Sequence, residues 1–276
     1  MKSLKITLFA IVIMAIATIS AQNAAAQVDS KALAQVEAKA DLKLMSFNLR
    51  YYKPGADGDN GWLYRKDAIV AMIREEMPDI IGLQEPHRPQ VDYLKVNFQN
   101  DYATLDAGRD AMTDIVKKPA GGEHLMIMYR KSRYALLDSG FFWLSETPEV
   151  PSHGWDAMCR RVTVWGLFRD KKTGKEFYFF NSHLYWRLHE ARANSGKVHI
   201  AKVQQVAGDV PVVSVGDFTS EEQEVQIQDI RSLLGDAFHL SASAPQGCTD
   251  TDLGGGNFIG PAHNRIDFIF IYLIFF

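Results

Sequence analysis

PVVSVGDFT, residues 211–219, is an apolar run of strand length that stops at a carboxylate, Asp217. Four to eight apolar residues between turn-forming ones read as a strand buried on both faces. The same arrangement repeats on either side. Upstream lie EFYFFNSHL (176–184), which carries Asn181 and His183, then VTVWGLF (162–168) and HLMIMY (124–129). Further upstream, DIIGLQ (79–84) runs into Glu85 and LKLMSF (42–47) into Asn48, while downstream RIDFIFI (265–271) contains Asp267.

Between these runs the apolar period changes to that of helices. Ala68, Ile69, Met72, Ile73 and Met77 recur at helical spacing and Pro78 stops the segment. Further helices are expected over Pro89–Phe98, Arg187–Ala207 and Glu221–Leu234. KKTGKE (171–176) separates two apolar runs as a hairpin turn, so part of a sheet is antiparallel. The mixture predicts an α/β or α+β layered fold with mixed sheets. With 276 residues, 47% of them apolar, two Cys and a formal charge of −3, the chain has the composition of a globular domain with a large core.

Residues 1–26 read as a signal peptide: Lys2 and Lys5 form a basic start, Leu8–Ala17 is apolar, and Ala24–Ala26 offers a cleavage site. The apolar stretch is short of the ~20 residues of a membrane span, which disfavours an anchor. The protein is therefore expected outside the cytoplasm, periplasmic or secreted, with 27–40 as an Ala-rich tether and the domain over 41–276. Removing Lys2 and Lys5 takes the formal charge from −3 to −5, which does not indicate nucleic acid as the partner and favours a small or lipid-borne phosphate ester. Cys159 and Cys248 lack C-x-x-C neighbours and are expected as unpaired, buried or half-buried thiols.

Strand ends in layered folds converge on one edge. Carboxylates from Glu85, Asp217 and Asp267, with Asn48, Asn181 and His183, make a candidate site for a hard divalent cation and an anionic substrate. MSFNLR around Asn48, IGLQEP around Glu85, FNSHL around His183, VGDFT around Asp217 and NRIDFIF around Asp267 together resemble the endonuclease/exonuclease/phosphatase family, the deoxyribonuclease-I-like metal phosphoesterases. The segment 136–166 is similar to the exported bacterial branch of that family. The resemblance implies a four-layer sandwich, two packed mixed sheets flanked by helices, and hydrolysis of a phosphodiester or phosphomonoester by in-line attack of water.

By the same resemblance Glu85 would bind Mg²⁺ or Mn²⁺, with Asn48 at the metal or supporting it. His183 would touch a phosphate oxygen or assist the leaving group, Asp217 would position or activate water, and Asp267 would orient a catalytic His. Arg161 would hold a phosphate or form a surface salt bridge, and Asn181 and Thr219 would contact substrate. Thr219 stands where the family's G-D-F-N motif has an amide, and Tyr185 and Trp186 where the branch has an acidic and basic pair. The family closes with Ser-Asp-His on a further strand. This sequence reaches Phe276 without it through the apolar run FIFIYLIFF (268–276), so a truncated C-terminus, a missing final strand and impaired catalysis are expected. The alternative is an inactive member that binds a phosphorylated ligand.

Other motifs fail on spacing. Asp57–Gly61 lacks the Glu of a calcium loop, His189-Glu190 lacks the second His of a zincin, and Gly254–Gly256 lacks the context of a phosphate loop. Trp143 and Trp165 are expected in the core, whereas Trp155 and Trp186 stand among polar residues and suit an aromatic rim for a sugar or base.

Overall fold

Seven apolar runs become strands because every second residue finds one apolar layer and the residues between find another. The computed structural model describes residues 42–110, 122–187, 189–254 and 260–272. The expected signal peptide and tether lie outside the described residues, as do 273–276 of the apolar tail. In the strands β1 (Leu44–Asn48), β2 (Ile80–Gln84), β3 (Tyr102–Gly108) and β4 (His124–Arg130) the residues Leu44, Ile80, Leu125 and Ile127 point inward. Met45, Ile81, Leu83, Met126 and Met128 point outward against α1 (Trp62–Glu76) and α2 (Arg88–Phe98).

The second sheet holds β5 (Tyr134–Trp143), β6 (Val162–Asp170), β7 (Glu176–His183), β8 (Val212–Asp217), β9 (Gly235–Asp236) and β10 (Asp267–Tyr272). Val164, Phe179, Val213, Val215 and Ile269 meet the first sheet, while Phe180, Val212, Phe268 and Phe270 face the other way. Val203 of α3 (His189–Ala207) and Ile227 and Ile230 of α4 (Val225–Arg231) cover that outer face. A short α5 (Ala237–Leu240) follows β9. The strand orders are β1-β2-β4-β3 and β5-β6-β7-β8-β10-β9. Parallel β1·β2 and β7·β8 pairs sit among antiparallel ones, so both sheets are mixed and the four-layer sandwich is as expected.

Three strands escape the apolar pattern. β3 is half-exposed along its middle, β5 is an edge strand with a bulge between Leu136 and Asp138, and β9 has two residues. The first part of the apolar tail is no exposed strand. β10 lies between β8 and β9, and Phe268–Ile271 are buried. Cys159 and Cys248 are both free, Cys159 half-buried; Cys248, expected to have some cover, is exposed. No helix among the described residues is long and apolar enough to cross a membrane.

One polar joint runs through the apolar layer between the sheets. Asn181 of β7, wholly buried, donates through Nδ2 to the carbonyls of Leu83 (2.9 Å) and Met126 (3.0 Å) in the opposite sheet, and its Oδ1 accepts from Gln84 Nε2 at 2.7 Å. Gly82 makes the approach possible, since a Cβ there would stand 2.4 Å from Val215 Cγ2. This corrects the expectation that Asn181 binds substrate: its amide is spent on the sandwich. On the far side, His199 of α3 ties Ser182 and Ser214 together and is kept neutral by burial, with its pKa at about 3.

Removing the joint takes a hydrogen bond from two buried carbonyls and leaves the Gln84 amide with Gly82 O and Ser46 Oγ as acceptors. Asn181→Ala is expected to lower the unfolding free energy by about 3 kcal/mol in urea titrations, and a change below about 0.5 kcal/mol would show that the joint carries no stability.

Candidate active site

The packing of β1 on β8 and of β2 on β7 brings the ends of four strands to one edge. Asn48 closes β1, Glu85 follows β2, His183 closes β7 and Asp217 closes β8. Asp267 opens β10 directly opposite Asp217 in the antiparallel register. All five line one cleft of about 810 Å³, together with Arg161 and Thr219. Of the expected site residues, Asn181 alone is not among those lining it.

Asn48 spans the two sheets. Its Nδ2 donates to Glu85 Oε1 (3.1 Å) and to Asp217 Oδ2 (2.8 Å), while its Oδ1 accepts from Arg50 N at 2.8 Å. The amide nitrogen therefore faces the carboxylates. A nitrogen that donates two hydrogens has no lone pair for a cation, so of the two roles open to Asn48 this orientation fits support. Glu85 is held at its other oxygen by Tyr51 N (3.0 Å), and its backbone is left-handed at φ 68°.

The carboxylates strain against one another. Burial, reinforced by the Glu85 charge, pushes Asp217 up to about 6 against the Asn48 hydrogen bond. Burial and then the Asp217 charge raise Asp267 well above the ordinary carboxyl range, although Thr251 hydrogen-bonds to it. Oxygens of Glu85 and Asp217 lie within 4.8 Å of one another and of a His183 nitrogen, so the two carboxylates are close enough to share a metal ion. Repelling carboxylates at a partly open cleft are a donor set that a hard cation relieves, so the residues fit a divalent metal ion.

His183 has a defined tautomer. Arg161 Nη1 lies 2.8 Å from its Nδ1, and a guanidinium only donates, so Nδ1 accepts and the proton sits on Nε2. Burial and the charges of Arg161 and Arg109 hold its pKa well below the ordinary value, which keeps the ring neutral. Nε2 then presents N–H to the site, 3.7 Å from Asp217 Oδ2. Arg161 is accordingly no surface salt bridge. It is buried behind His183 and also paired with Glu123 at 3.3 Å. Glu123, which in turn pairs with Arg109 at 2.6 Å, is a site residue that the sequence reading missed, although it too stands beside an apolar run, just before HLMIMY. Arg192, on the cleft wall with Nη2 2.6 Å from Glu224, was missed as well, since nothing in its helix marks it.

Thr219 is turned away from the phosphate side. Its N donates to Asp217 Oδ1 (2.8 Å) and its hydroxyl donates to the carbonyls of Tyr185 (3.1 Å) and Phe218 (2.8 Å). Its φ of 48° is left-handed, costly for a β-branched residue and tolerated far better by Asn. Thr219→Asn is therefore expected to raise the unfolding free energy by about 1 kcal/mol, as a higher urea midpoint at unchanged slope; a lower midpoint would show that the hydroxyl bonds outweigh the strain.

The comparisons with known proteins agree with this geometry. The model of the Endonuclease/Exonuclease/phosphatase family matches residues 45–272. An endonuclease/exonuclease/phosphatase from Bacteroides vulgatus is 32% identical, with a TM-score of 0.68 over 82% of this chain and 85% of that one. The mannosyl-6-phosphatase of Bacteroides thetaiotaomicron is 31% identical, with a TM-score of 0.72 over 83% of this chain and 84% of its own. Nocturnin of Drosophila melanogaster is 27% identical over 202 residues, 67% of this chain and 29% of that protein. The chain spans less than two thirds of the length of the curated relatives it matches. Strand order, cleft and family match together show that the chain belongs to the endonuclease/exonuclease/phosphatase family.

Proposed function

We propose that the protein is an exported, divalent-metal-dependent phosphoester hydrolase, cleaving a phosphomonoester or phosphodiester by in-line attack of water. The observation that carries this reading is the convergence of Glu85, Asp217 and a neutral His183 from two sheets on one cleft. Glu85 and Asp217 would hold Mg²⁺ or Mn²⁺, and Asn48 fixes both carboxylates from behind. When bound, the cation offsets charge on the phosphoryl oxygens and the leaving group. Membership of a family that includes a named phosphatase supports hydrolysis. Export is inferred from the basic and then apolar start of the sequence.

The chain's own residues supply the remaining steps. His183 points Nε2–H at the position of a phosphate oxygen, a donor fixed in direction by Arg161 and Glu123. Such a preset donor costs no reorganisation as charge builds on that oxygen. Asp217 accepts the proton of, or orients, the attacking water. Asp267 lies directly across from it, with its carboxyl pushed toward the protonated form by burial and by the Asp217 charge. Thr219, with its hydroxyl committed to backbone carbonyls, donates nothing to the phosphate except through rearrangement. That last observation favours a second reading, a family member that binds a phosphorylated ligand without turning it over.

Hydrolysis of p-nitrophenyl phosphate and bis-p-nitrophenyl phosphate separates the two. The hydrolase reading expects turnover with Mg²⁺ or Mn²⁺ that a chelator abolishes, and losses of at least about 10²-fold in kcat for Glu85→Ala and Asp217→Ala. Turnover indifferent to chelator contradicts it, and ligand-induced stabilisation with no turnover supports the binder.

A further inference from the structure

Of the aromatic rim expected at the cleft mouth, Trp186 is in place and exposed, whereas Trp155 is half-buried and absent from the lining. Trp143 and Trp165 pack against other rings, as expected. Two unsatisfied groups lie deeper. Glu123, Arg161 and His183 line the cleft and also a second, small cavity, whose other walls come from Arg109, His124 and the starts of β4 and β6. The Arg109 and Glu123 side chains are 19% and 15% exposed and the rest of that wall is buried. The cavity measures about 10 Å³, room for one water-sized body and too little for a phosphoryl group.

Two guanidiniums meet there and share one carboxylate. Glu123 Oε2 lies 2.6 Å from Arg109 Nη1 and 3.3 Å from Arg161 Nη1, and the same Arg161 nitrogen donates to His183 Nδ1. Each guanidinium nevertheless keeps a buried Nε–H with no partner among the described residues. A buried donor left unpaired is costly, and native structures usually satisfy it with protein, water or an ion.

Charge selects among those. Both arginines are permanently charged and Glu123 balances one of them. His183 accepts at Nδ1 and so carries no charge of its own. His124 is paired with Asp106, which Lys95 and Arg88 also face, so that carboxylate is already neutralised. Asp217 stands on the Nε2 side of the His183 ring and belongs to the cleft. One positive charge is left at the cavity. A water would pair the two donors and leave that charge, whereas a monatomic anion answers both. A cation would be repelled by both guanidiniums.

We propose that this cavity is a binding site for one halide-class anion, chloride in chemical kind, held by the Nε–H groups of Arg109 and Arg161. The anion holds Arg161 at the nitrogen that His183 and Glu123 leave free, and so steadies the guanidinium on which the His183 tautomer depends. Its occupancy is independent of whether the cleft hydrolyses an ester.

The test uses the full chain with a chelator present, so that no metal in the cleft holds the halide. Thermal unfolding is followed as sodium gluconate is exchanged for sodium chloride or bromide at constant ionic strength. Above the dissociation constant the midpoint is expected to rise by about 4 °C for each tenfold increase in halide. Crystals soaked in bromide are expected to show an anomalous peak within hydrogen-bond reach of both Nε atoms. Arg109→Lys keeps the charge, removes the Nε–H and is expected to abolish the shift. Glu123→Gln removes the competing carboxylate and is expected to tighten halide binding about ten-fold. The wild-type titration and the bromide peak decide the matter if either variant fails to fold. A midpoint indifferent to the exchange overturns the inference, as does a shift that survives Arg109→Lys. A water that bromide does not displace overturns it too, and so does a bromide peak without a shift in solution, which is binding at crystal concentration only.

Discussion

The structure depends on the way one sheet is pinned against the other. Asn181 reaches across the apolar layer to the carbonyls of Leu83 and Met126, and Gly82 gives it room. Because β1 packs on β8 and β2 on β7, this joint fixes where four strand ends stand relative to one another. Asn48 and Glu85 come from one sheet, and His183, Asp217 and Asp267 from the other. Neither sheet holds the set alone. Asn48, bonded to Glu85 and Asp217 at once, repeats at the rim the connection that Asn181 makes inside.

A site built this way opposes the stability of the fold that carries it. Glu85 and Thr219 are both left-handed, in positions that glycine or asparagine would occupy at lower cost. Asp217 and Asp267 are buried side by side and raised by burial and mutual repulsion. Arg161, whose buried Nε has no partner among the described residues, is spent on His183 and Glu123. Strain, repulsion and one orphaned donor meet at the cleft, while the three apolar layers on either side and between the sheets absorb the cost.

Much of this was legible in the sequence, and the remainder failed for identifiable reasons. The strands buried on both faces announce themselves as apolar runs, and the polar residues at their ends mark the edge where the site lies. β5 and β3 fail that test because an edge strand and a half-exposed strand carry residues such as Asp138, Gly140 and Asp106 that read as loop. Asn181 shows a deeper limit. It lies two residues before His183 on the same face of β7, so strand parity cannot separate them. What differs is depth, and depth depends on where the opposing sheet ends. The tautomer of His183 is also invisible in sequence, because it follows from a guanidinium that the chain delivers just ahead of the neighbouring strand β6.

The central claim is that carboxylates from separate sheets act as one metal centre. Its most direct measurement is the Mn²⁺ affinity of the wild type, Glu85→Gln, Asp217→Asn and the double variant, taken as a thermodynamic cycle. Two ligands of one ion are predicted to be strongly non-additive, with the double variant binding scarcely more weakly than either single one. Losses that simply add, or single variants that bind as the wild type does, would contradict the shared centre and with it the account of the cleft.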